Sequence, residues 1–308
     1  MEESRLSMFP TPEANASEAI ADRLSALVHE LCSSPRTLGD PKGLWKTSSW
    51  IARQFKAASG GSMAVRLFTQ PYNAIGAAYR NIILRIGPEP SPDRPLTILG
   101  AHYDTFPSSP GADDNASSVA VLIEAARLLA PIAESLSFPI EIVAWACEEP
   151  PAFGNGAMGS SRHHNFLRRE GVPVARAIIL EMVGYYSDIQ STRKLSYQDA
   201  GGAPRTATMP EKGDFLLVVG TDRKGIENIG DYFGGSSLKT FSVPGYSPLL
   251  YWCDGVNWAD SPRILLTSTG MLRNPNYHRA GDLPSTLDYK RMATLSEGIA
   301  GFLTTVRD

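Results

Sequence analysis

The segment 100–115, which reads GAHYDTFPSSPGADDN, gathers residue types that bind divalent metal ions. His102 and Asp104 lie two residues apart, and Asp113 and Asp114 follow a turn rich in Pro, Ser and Gly. Imidazole nitrogen and carboxylate oxygen are the ligands that zinc-like ions prefer. A coordinating imidazole also needs an acceptor behind it to fix its tautomer. The segment therefore predicts part of a metal site.

Further acids and one more histidine occur at intervals along the chain. Glu148 and Glu149 follow an apolar run, Glu181 lies near the end of another, and His278 lies in the polar segment RNPNYHRAGD. Two ions need about five protein ligands, with a carboxylate such as Asp114 bridging them. A free carboxylate must then take the proton of the attacking water. We expect the Glu148–Glu149 pair to supply one ligand and this base.

The elements that must position these residues follow from hydrophobic periodicity and turn signals. Helices are predicted at about 15–31, 44–58, 116–130, 159–169 and 286–306. Strands are predicted at 63–69, 79–86, 96–101, 140–147, 175–182, 215–219, 238–243 and 264–267. The metal-type residues come after strands, where open α/β sheets bind ligands. Asn115 is predicted to cap the helix that follows it, and the aperiodic segment 185–214 is predicted to be a long ordered loop or lid.

Bulk properties exclude several classes of protein. The 308 residues contain no repeat or linker, so we expect one domain over 1–308. A net charge of -3 argues against a nucleic-acid partner. The N-terminus shows no signal peptide and no apolar run is judged long enough to span a membrane, so we expect no membrane partner. Three scattered cysteines favour reduced thiols and a cytoplasmic location.

Five motifs in order resemble those of the co-catalytic zinc aminopeptidase family. They are GAHYDT, PGADDNAS, the EE pair after an apolar strand, ILEMVG, and YHRAGDLPSTLDY. That family contains bacterial leucyl aminopeptidases, glutamate carboxypeptidase and glutaminyl cyclase. The resemblance covers residues from about 81 to the C-terminus. It implies a zinc exopeptidase-like fold, which is a three-layer α/β/α domain with a mixed, mostly parallel central sheet.

The resemblance also implies roles for individual residues. The metal ligands would be His102, Asp114, Glu149, Glu181 and His278, with Asp114 bridging two zinc ions (Zn2+). Glu148 would be the general base, Asp104 would orient His102, and Asp113 would be structural. Tyr277 matches a position that stabilises the oxyanion in some members of the family. Tyr246 and Tyr251 are the alternatives for this role. Two positions depart from the family: Glu181 replaces an aspartate, and Cys253-Asp254-Gly255 replaces Ser-Asp-His.

The expected function is hydrolysis of an amide bond in a peptide or small amide, with removal of an N-terminal residue as the leading reaction. One alternative is a glutaminyl-cyclase-like acyltransferase with a single zinc. A second is a non-catalytic binding protein of the same fold. Simpler roles are also open for single residues: His102 and Asp104 could form a salt bridge, and Glu181 could pair with Arg80. His163 and His164 are expected to be packing or surface residues. The oligomeric state stays open.

Overall fold

The structure is a computed structural model that describes residues 14–233 and 236–305. Its α-helices are α1 (Ala14–Cys32), α2 (Pro41–Ala58), α3 (Ser118–Leu129), α4 (Gly159–Arg169), α5 (Arg223–Phe233) and α6 (Tyr289–Thr305). Its strands are β1 (Val65–Ala74), β2 (Ala77–Ile86), β3 (Leu96–His102), β4 (Ile140–Trp145), β5 (Val174–Glu181), β6 (Lys194–Gln198), β7 (Pro204–Thr208), β8 (Phe215–Gly220), β9 (Lys239–Pro244) and β10 (Arg263–Thr267).

Eight strands form one sheet in the order β1-β2-β4-β3-β5-β10-β8-β9. The centre is parallel, because β3 pairs in parallel with β4 and β5, and β5 pairs in parallel with β10. Antiparallel pairing occurs at β1–β2, β2–β4 and β8–β10. The prediction of a mixed, mostly parallel sheet is confirmed.

Helices and loops cover both faces of this sheet. In β5, Ile178 and Leu180 pack into one apolar cluster, whereas Ala177 and Ile179 pack into another. This alternation is expected for a strand buried on both faces. The first cluster includes residues of α1, α2, α3, α5 and α6, and the second includes residues of α4, the β6–β7 hairpin and the segment 249–258. The predicted three-layer α/β/α architecture is confirmed.

The structure contains two elements that the sequence did not predict. The segment 185–214 contains the antiparallel hairpin β6–β7, whose mostly exposed residues give no apolar alternation in the sequence. Helix α5 was not predicted, although Ile226, Ile229 and Phe233 have helical spacing and are buried. Both elements lie outside the central strands that carry the metal-type residues.

A third difference concerns the start of α3. Asn115 does not cap this helix, because its side chain turns toward β5, where Nδ2 donates to the carbonyl of Leu180 at 3.2 Å.

The helical run Ala112–Ser135 is also long and apolar enough to cross a membrane, so the expectation of no such run was wrong by that measure. However, 78% of its apolar window is buried inside the protein, which is the position of a core helix.

Strands β3 and β4 are in close contact just before the predicted ligand His102. Gly100 in β3 lies under the ring of Trp145, and a Cβ at Gly100 would come within 2.1 Å of that ring. The buried Trp145 donates its indole N–H to His163 Nδ1 at 3.3 Å, and His163 Nε2 lies 2.9 Å from Glu141 Oε2. The prediction that His163 is a packing residue is confirmed.

Substituting Gly100→Ala should therefore overpack the sheet two residues before His102. We expect a loss of about 1–3 kcal/mol in the free energy of unfolding, because neither the indole nor the strand backbone can move freely. Chemical denaturation measures the loss. Gly39→Ala is the control, since a Cβ there meets its nearest atom at 3.6 Å. Equal stability of the two variants would contradict this packing argument.

Candidate metal centre

The predicted ligands meet at the carboxyl ends of three neighbouring strands. His102 is the last residue of β3 and Glu181 is the last residue of β5. Glu148 and Glu149 follow β4 after a short turn. Because β4, β3 and β5 are adjacent and parallel, their carboxyl ends lie at one edge of the sheet. Asp114 reaches this edge from the loop after β3, and His278 reaches it from the loops after β10.

Three aspartates fix these loops by binding pairs of consecutive backbone N–H groups. Asp104 accepts from the N–H groups of 148 and 149, at 2.9 and 3.0 Å. Asp113 accepts from the N–H groups of 184 and 185, at 2.8 and 3.1 Å. Asp282 accepts from the N–H groups of 113 and 114, at 2.9 and 3.1 Å. Hydrogen bonds to a carboxylate are strong and directional, so they set the loop geometry.

These contacts refine two predicted roles. The backbone carbonyl of Asp104 lies 3.2 Å from Nδ1 of His102 and can accept its proton, while the Asp104 carboxylate lies 3.5 Å from the same nitrogen. Asp104 therefore orients His102 mainly through its main chain, and its carboxylate holds the Glu148–Glu149 turn. Asp113 contacts backbone amides and Asn274, as expected for a structural residue. Asp282 was not identified from the sequence.

Two groups of three side chains share the carboxylate of Asp114. The first is His102, Asp114 and Glu181, and the second is Asp114, Glu149 and His278. Nε2 of His102 lies 3.3 Å from Asp114 Oδ1 and 3.4 Å from Glu181 Oε2. Nε2 of His278 lies 3.2 Å from Asp114 Oδ2 and 3.2 Å from Glu149 Oε2. The structure thus brings together all five predicted ligand positions, with Asp114 between the two groups.

The donor set fits two divalent cations. Within the described residues, His278 Nε2 and Glu149 Oε1 are buried and have no hydrogen-bond partner. Buried polar atoms without a partner are costly unless another group satisfies them. Imidazole and carboxylate donors around each position match the preferences of zinc. Asn115 supports the first group, since its Nδ2 also donates to Glu181 Oε2 at 3.2 Å.

Buried carboxyl groups outnumber the imidazoles of the site, and this shifts the pKa values of both kinds of group. Burial raises the pKa of Glu181 to about 8 and the pKa of Glu149 to about 7. Burial lowers the pKa of both histidines, but neighbouring carboxylates outweigh it, so the pKa of His278 rises to about 9 and that of His102 rises well above its usual value. Burial opposes ionisation of Asp114, yet the neighbouring imidazoles of His102 and His278 lower its pKa to about 2.

Glu148 stands beside the two groups without belonging to either. Its Oε2 lies 4.0 Å from His102 Nε2, and the residue is 7% exposed. Burial raises the pKa of its carboxyl group well above the usual value, with the charge of His102 opposing this. A carboxylate with a raised pKa next to metal ligands suits proton transfer.

The backbone is strained at three positions of this site. Cys147, Met182 and His278 have φ angles of 62°, 48° and 58°, in the left-handed region that favours glycine. Cys147 precedes Glu148, Met182 follows Glu181, and His278 is itself one of the five residues. Such strain costs about 1–3 kcal/mol per residue and clusters at functional sites. It allows the adjacent glutamates 148 and 149 to take different roles at an irregular strand end.

The alternatives raised for single residues are decided by these contacts. Arg80 donates to Ser48 Oγ at 2.8 Å and to Ser49, so the proposed pairing of Glu181 with Arg80 is wrong. His164 lies 2.7 Å from Asp260 on the surface of the protein, away from the five residues. Tyr277 stacks on His278 with ring centroids 3.8 Å apart, which places it at the site.

The two other tyrosines considered belong to a separate aromatic cavity of about 570 Å³ between the β6–β7 hairpin and the segment 246–252. Its aromatic lining consists of Tyr197, Tyr246, Tyr251 and Trp252. Among the described residues that line this cavity, none is one of the five predicted ligands.

Sequence comparison finds related proteins along most of the chain. A family model described as Peptidase family M28 matches residues 81–303, which contain the whole site. Uncharacterized protein YfbL of Escherichia coli is 34% identical over 285 residues, covering 87% of this chain and 82% of that protein. Probable zinc metalloprotease of Pyricularia oryzae is 29% identical over 190 residues, covering 52% of this chain and 37% of that protein.

Structure comparison finds the same fold in solved proteins. LapA aminopeptidase of Legionella pneumophila matches with a TM-score of 0.73 at 19% identity, covering 99% of this chain and 79% of that chain. Glutaminyl cyclase of Porphyromonas gingivalis matches with a TM-score of 0.65 at 20% identity, covering 92% of this chain and 97% of that chain. At such identities these two likenesses establish the fold alone.

The buried acids predict how stability depends on pH. Glu149, Glu181 and His278 have pKa values of about 7, 8 and 9 in the folded metal-free chain, all above their usual values. The folded chain therefore holds more protons than the unfolded chain, and its stability should fall as the pH rises through this range. Zinc needs deprotonated ligands, so its stabilising effect should grow over the same range.

Thermal unfolding at pH 6 and pH 8, with EDTA or with zinc, measures both trends. We expect a lower Tm at pH 8 than at pH 6 in EDTA, and a larger zinc-induced rise in Tm at pH 8. His278→Ala is the control that removes one ligand and should reduce that rise. A zinc effect that is equal at both pH values would contradict the protonation scheme.

Proposed function

The chain belongs to peptidase family M28 and is a metallopeptidase, and we propose that it is a zinc-dependent aminopeptidase that holds two ions around Asp114. The observation that carries this proposal is the pair of complete ligand groups sharing one carboxylate. His102 and Glu181 would complete one zinc position, and Glu149 and His278 would complete the other. The substrates that this chemistry suits are peptides or small amides, and the net charge of -3 gives no support to a nucleic-acid partner.

The reaction needs an activated water; zinc held by these residues would lower the pKa of a bound water from about 15.7 to about 7 and would stabilise developing negative charge. The residues of the chain then move the proton. Glu148 accepts a proton from the attacking water and afterwards donates it to the leaving amine. Asp104 keeps the Glu148 backbone in place through the N–H bond at 2.9 Å. Burial raises the pKa of the Glu148 carboxyl group, which favours its donation of the proton to the leaving amine.

A buried acid supports recognition of a free N-terminal amine. Asp254 is fully buried, and its Oδ1 accepts from Ser160 while its Oδ2 has no hydrogen-bond partner among the described residues. Its charge acts on both Glu148 and Glu181, so it lies near the reacting groups. An ammonium group would satisfy this oxygen and the surrounding negative charge. Peptides with a free amine are therefore the substrates we propose.

Two other functions were considered from the sequence. A glutaminyl-cyclase-like acyltransferase with one zinc shares the fold, but the second ligand group is complete here, which favours two ions. A non-catalytic binding protein is disfavoured because the ligand positions and the base are all occupied by suitable side chains. A carboxypeptidase or a small-amide hydrolase would use the same metal centre. Such an enzyme would differ from an aminopeptidase in the part of the substrate that it recognises.

Glu148→Gln tests the proposed base. The substitution keeps the size of the side chain and does not alter the five ligands, so we expect unchanged zinc content and a kcat reduced roughly 10²–10⁴-fold. Turnover of an aminoacyl anilide and zinc content are measured on the same sample. Glu170→Gln, at an exposed position after α4, is the matched control and should keep full activity. Retained turnover in Glu148→Gln would remove Glu148 from the mechanism.

A panel of free and N-acetylated aminoacyl anilides tests the substrate class. We expect hydrolysis of the free compounds and loss of cleavage on acetylation, because acetylation removes the ammonium charge. Peptides with a free N-terminal glutamine are included, and their products are analysed by mass. Cyclisation with loss of ammonia would support the cyclase instead. Cleavage of acetylated peptides at the C-terminal residue would show a carboxypeptidase.

A further inference from the structure

The imidazole of His278 lies between two aromatic rings. On one side, the ring of Phe106 is 4.1 Å away between centroids and inclined by 8°. On the other side, the ring of Tyr277 is 3.8 Å away and inclined by 21°. Tyr277 is the chain neighbour of His278, whereas Phe106 comes from the separate loop that joins β3 to Asp113 and Asp114. The imidazole is therefore clamped across two loops of the site.

The two histidines of the site are held by different interactions. Nδ1 of His102 faces the backbone carbonyl of Asp104 at 3.2 Å, and its side chain is 1% exposed. His278 has a side chain that is 21% exposed, and Nδ1 of His278 forms no hydrogen bond among the described residues. A coordinating histidine normally uses such a bond to fix its ring orientation. The described contacts on the faces of the His278 ring are those with Phe106 and Tyr277.

We propose that Phe106 is a positioning residue of the metal centre, whose ring holds the His278 imidazole with Nε2 facing Asp114 and Glu149. This inference rests on the proposed function, in which these residues hold zinc. Face-to-face contact restricts rotation of the imidazole about its Cβ–Cγ bond. The stacked rings therefore keep Nε2 of His278 directed toward Asp114 and Glu149.

The position of Phe106 adds a link between the two loops. Ser108, two residues further along the same loop, lies 3.3 Å by its Oγ from the backbone carbonyl of His278 and donates to it. His278 itself has the strained φ angle of 58°, so contacts on its ring and carbonyl must maintain this conformation. Of these contacts, the Phe106 ring is the one that acts directly on the coordinating side chain from another segment.

Zinc affinity measured by competition with chromogenic chelators tests the proposal without relying on activity. Phe106→Leu removes the aromatic face and keeps an apolar side chain, and Phe106→Met does the same with a longer one. Phe106→Tyr keeps the ring. We expect Phe106→Leu and Phe106→Met to reduce the zinc affinity of the position that contains Glu149 and His278 about tenfold, which is within the range for loss of an outer-shell partner. The zinc affinity of the other position should not change. We expect Tyr to restore wild-type affinity.

Phe166→Leu is the matched control, because Phe166 is a partly exposed ring on α4 outside the site. It should bind zinc like the wild type. Cobalt substitution gives a second readout, since the absorption bands of one position should titrate later in Phe106→Leu while those of the other stay in place. Tm values in EDTA check that all variants are folded, and the Met variant replaces Leu if Leu does not fold.

The outcomes separate this inference from the proposed function. If the wild type binds no zinc, the proposed function fails. If the wild type binds two ions and the non-aromatic variants bind both with wild-type affinity, the role of Phe106 fails alone. Equal weakening of both positions, or weakening in Phe106→Tyr to the same extent as in Phe106→Leu, would likewise show general disturbance of the loop and overturn the proposal.

Discussion

The site depends on one buried carboxylate, that of Asp114, which is shared by two groups of ligands. Its two oxygens lie 3.3 Å from His102 Nε2 and 3.2 Å from His278 Nε2. The surrounding acids outnumber the nearby cationic groups, and burial raises the pKa of Glu149 and Glu181 to about 7 and 8. Such a concentration of buried negative charge is unfavourable by itself. The two divalent ions that we propose would offset it, and metal binding would then be linked to the geometry of the site.

Hydrogen bonds from backbone N–H groups to three other aspartates position the loops around this carboxylate. Asp104, Asp113 and Asp282 each accept two consecutive backbone N–H groups, and in this way they connect strand ends that are distant in sequence. The parallel centre of the sheet brings the strand ends to one edge, and the aspartates then fix the chain that follows. The coordinating side chains are thus placed by main-chain hydrogen bonds more than by contacts with one another. This arrangement tolerates strained φ angles at Cys147, Met182 and His278.

The central strands and the metal-type residues could be predicted from the sequence, because buried strands read as short apolar runs and their ends carry acids or histidine. The partners of those residues could not. Asp282 and Asn115 act through backbone groups more than 60 positions away, which no local pattern reveals. Phe106 looks like an ordinary loop residue until the fold places it on His278. The β6–β7 hairpin was missed because both of its faces are largely polar or exposed.

The most direct test of the central claim is a crystal structure of zinc-loaded protein with anomalous diffraction data on either side of the zinc absorption edge. The account predicts two anomalous peaks flanking the Asp114 carboxylate. One should contact His102 and Glu181, and the other should contact Glu149 and His278. A single peak, or peaks that do not share Asp114, would contradict it.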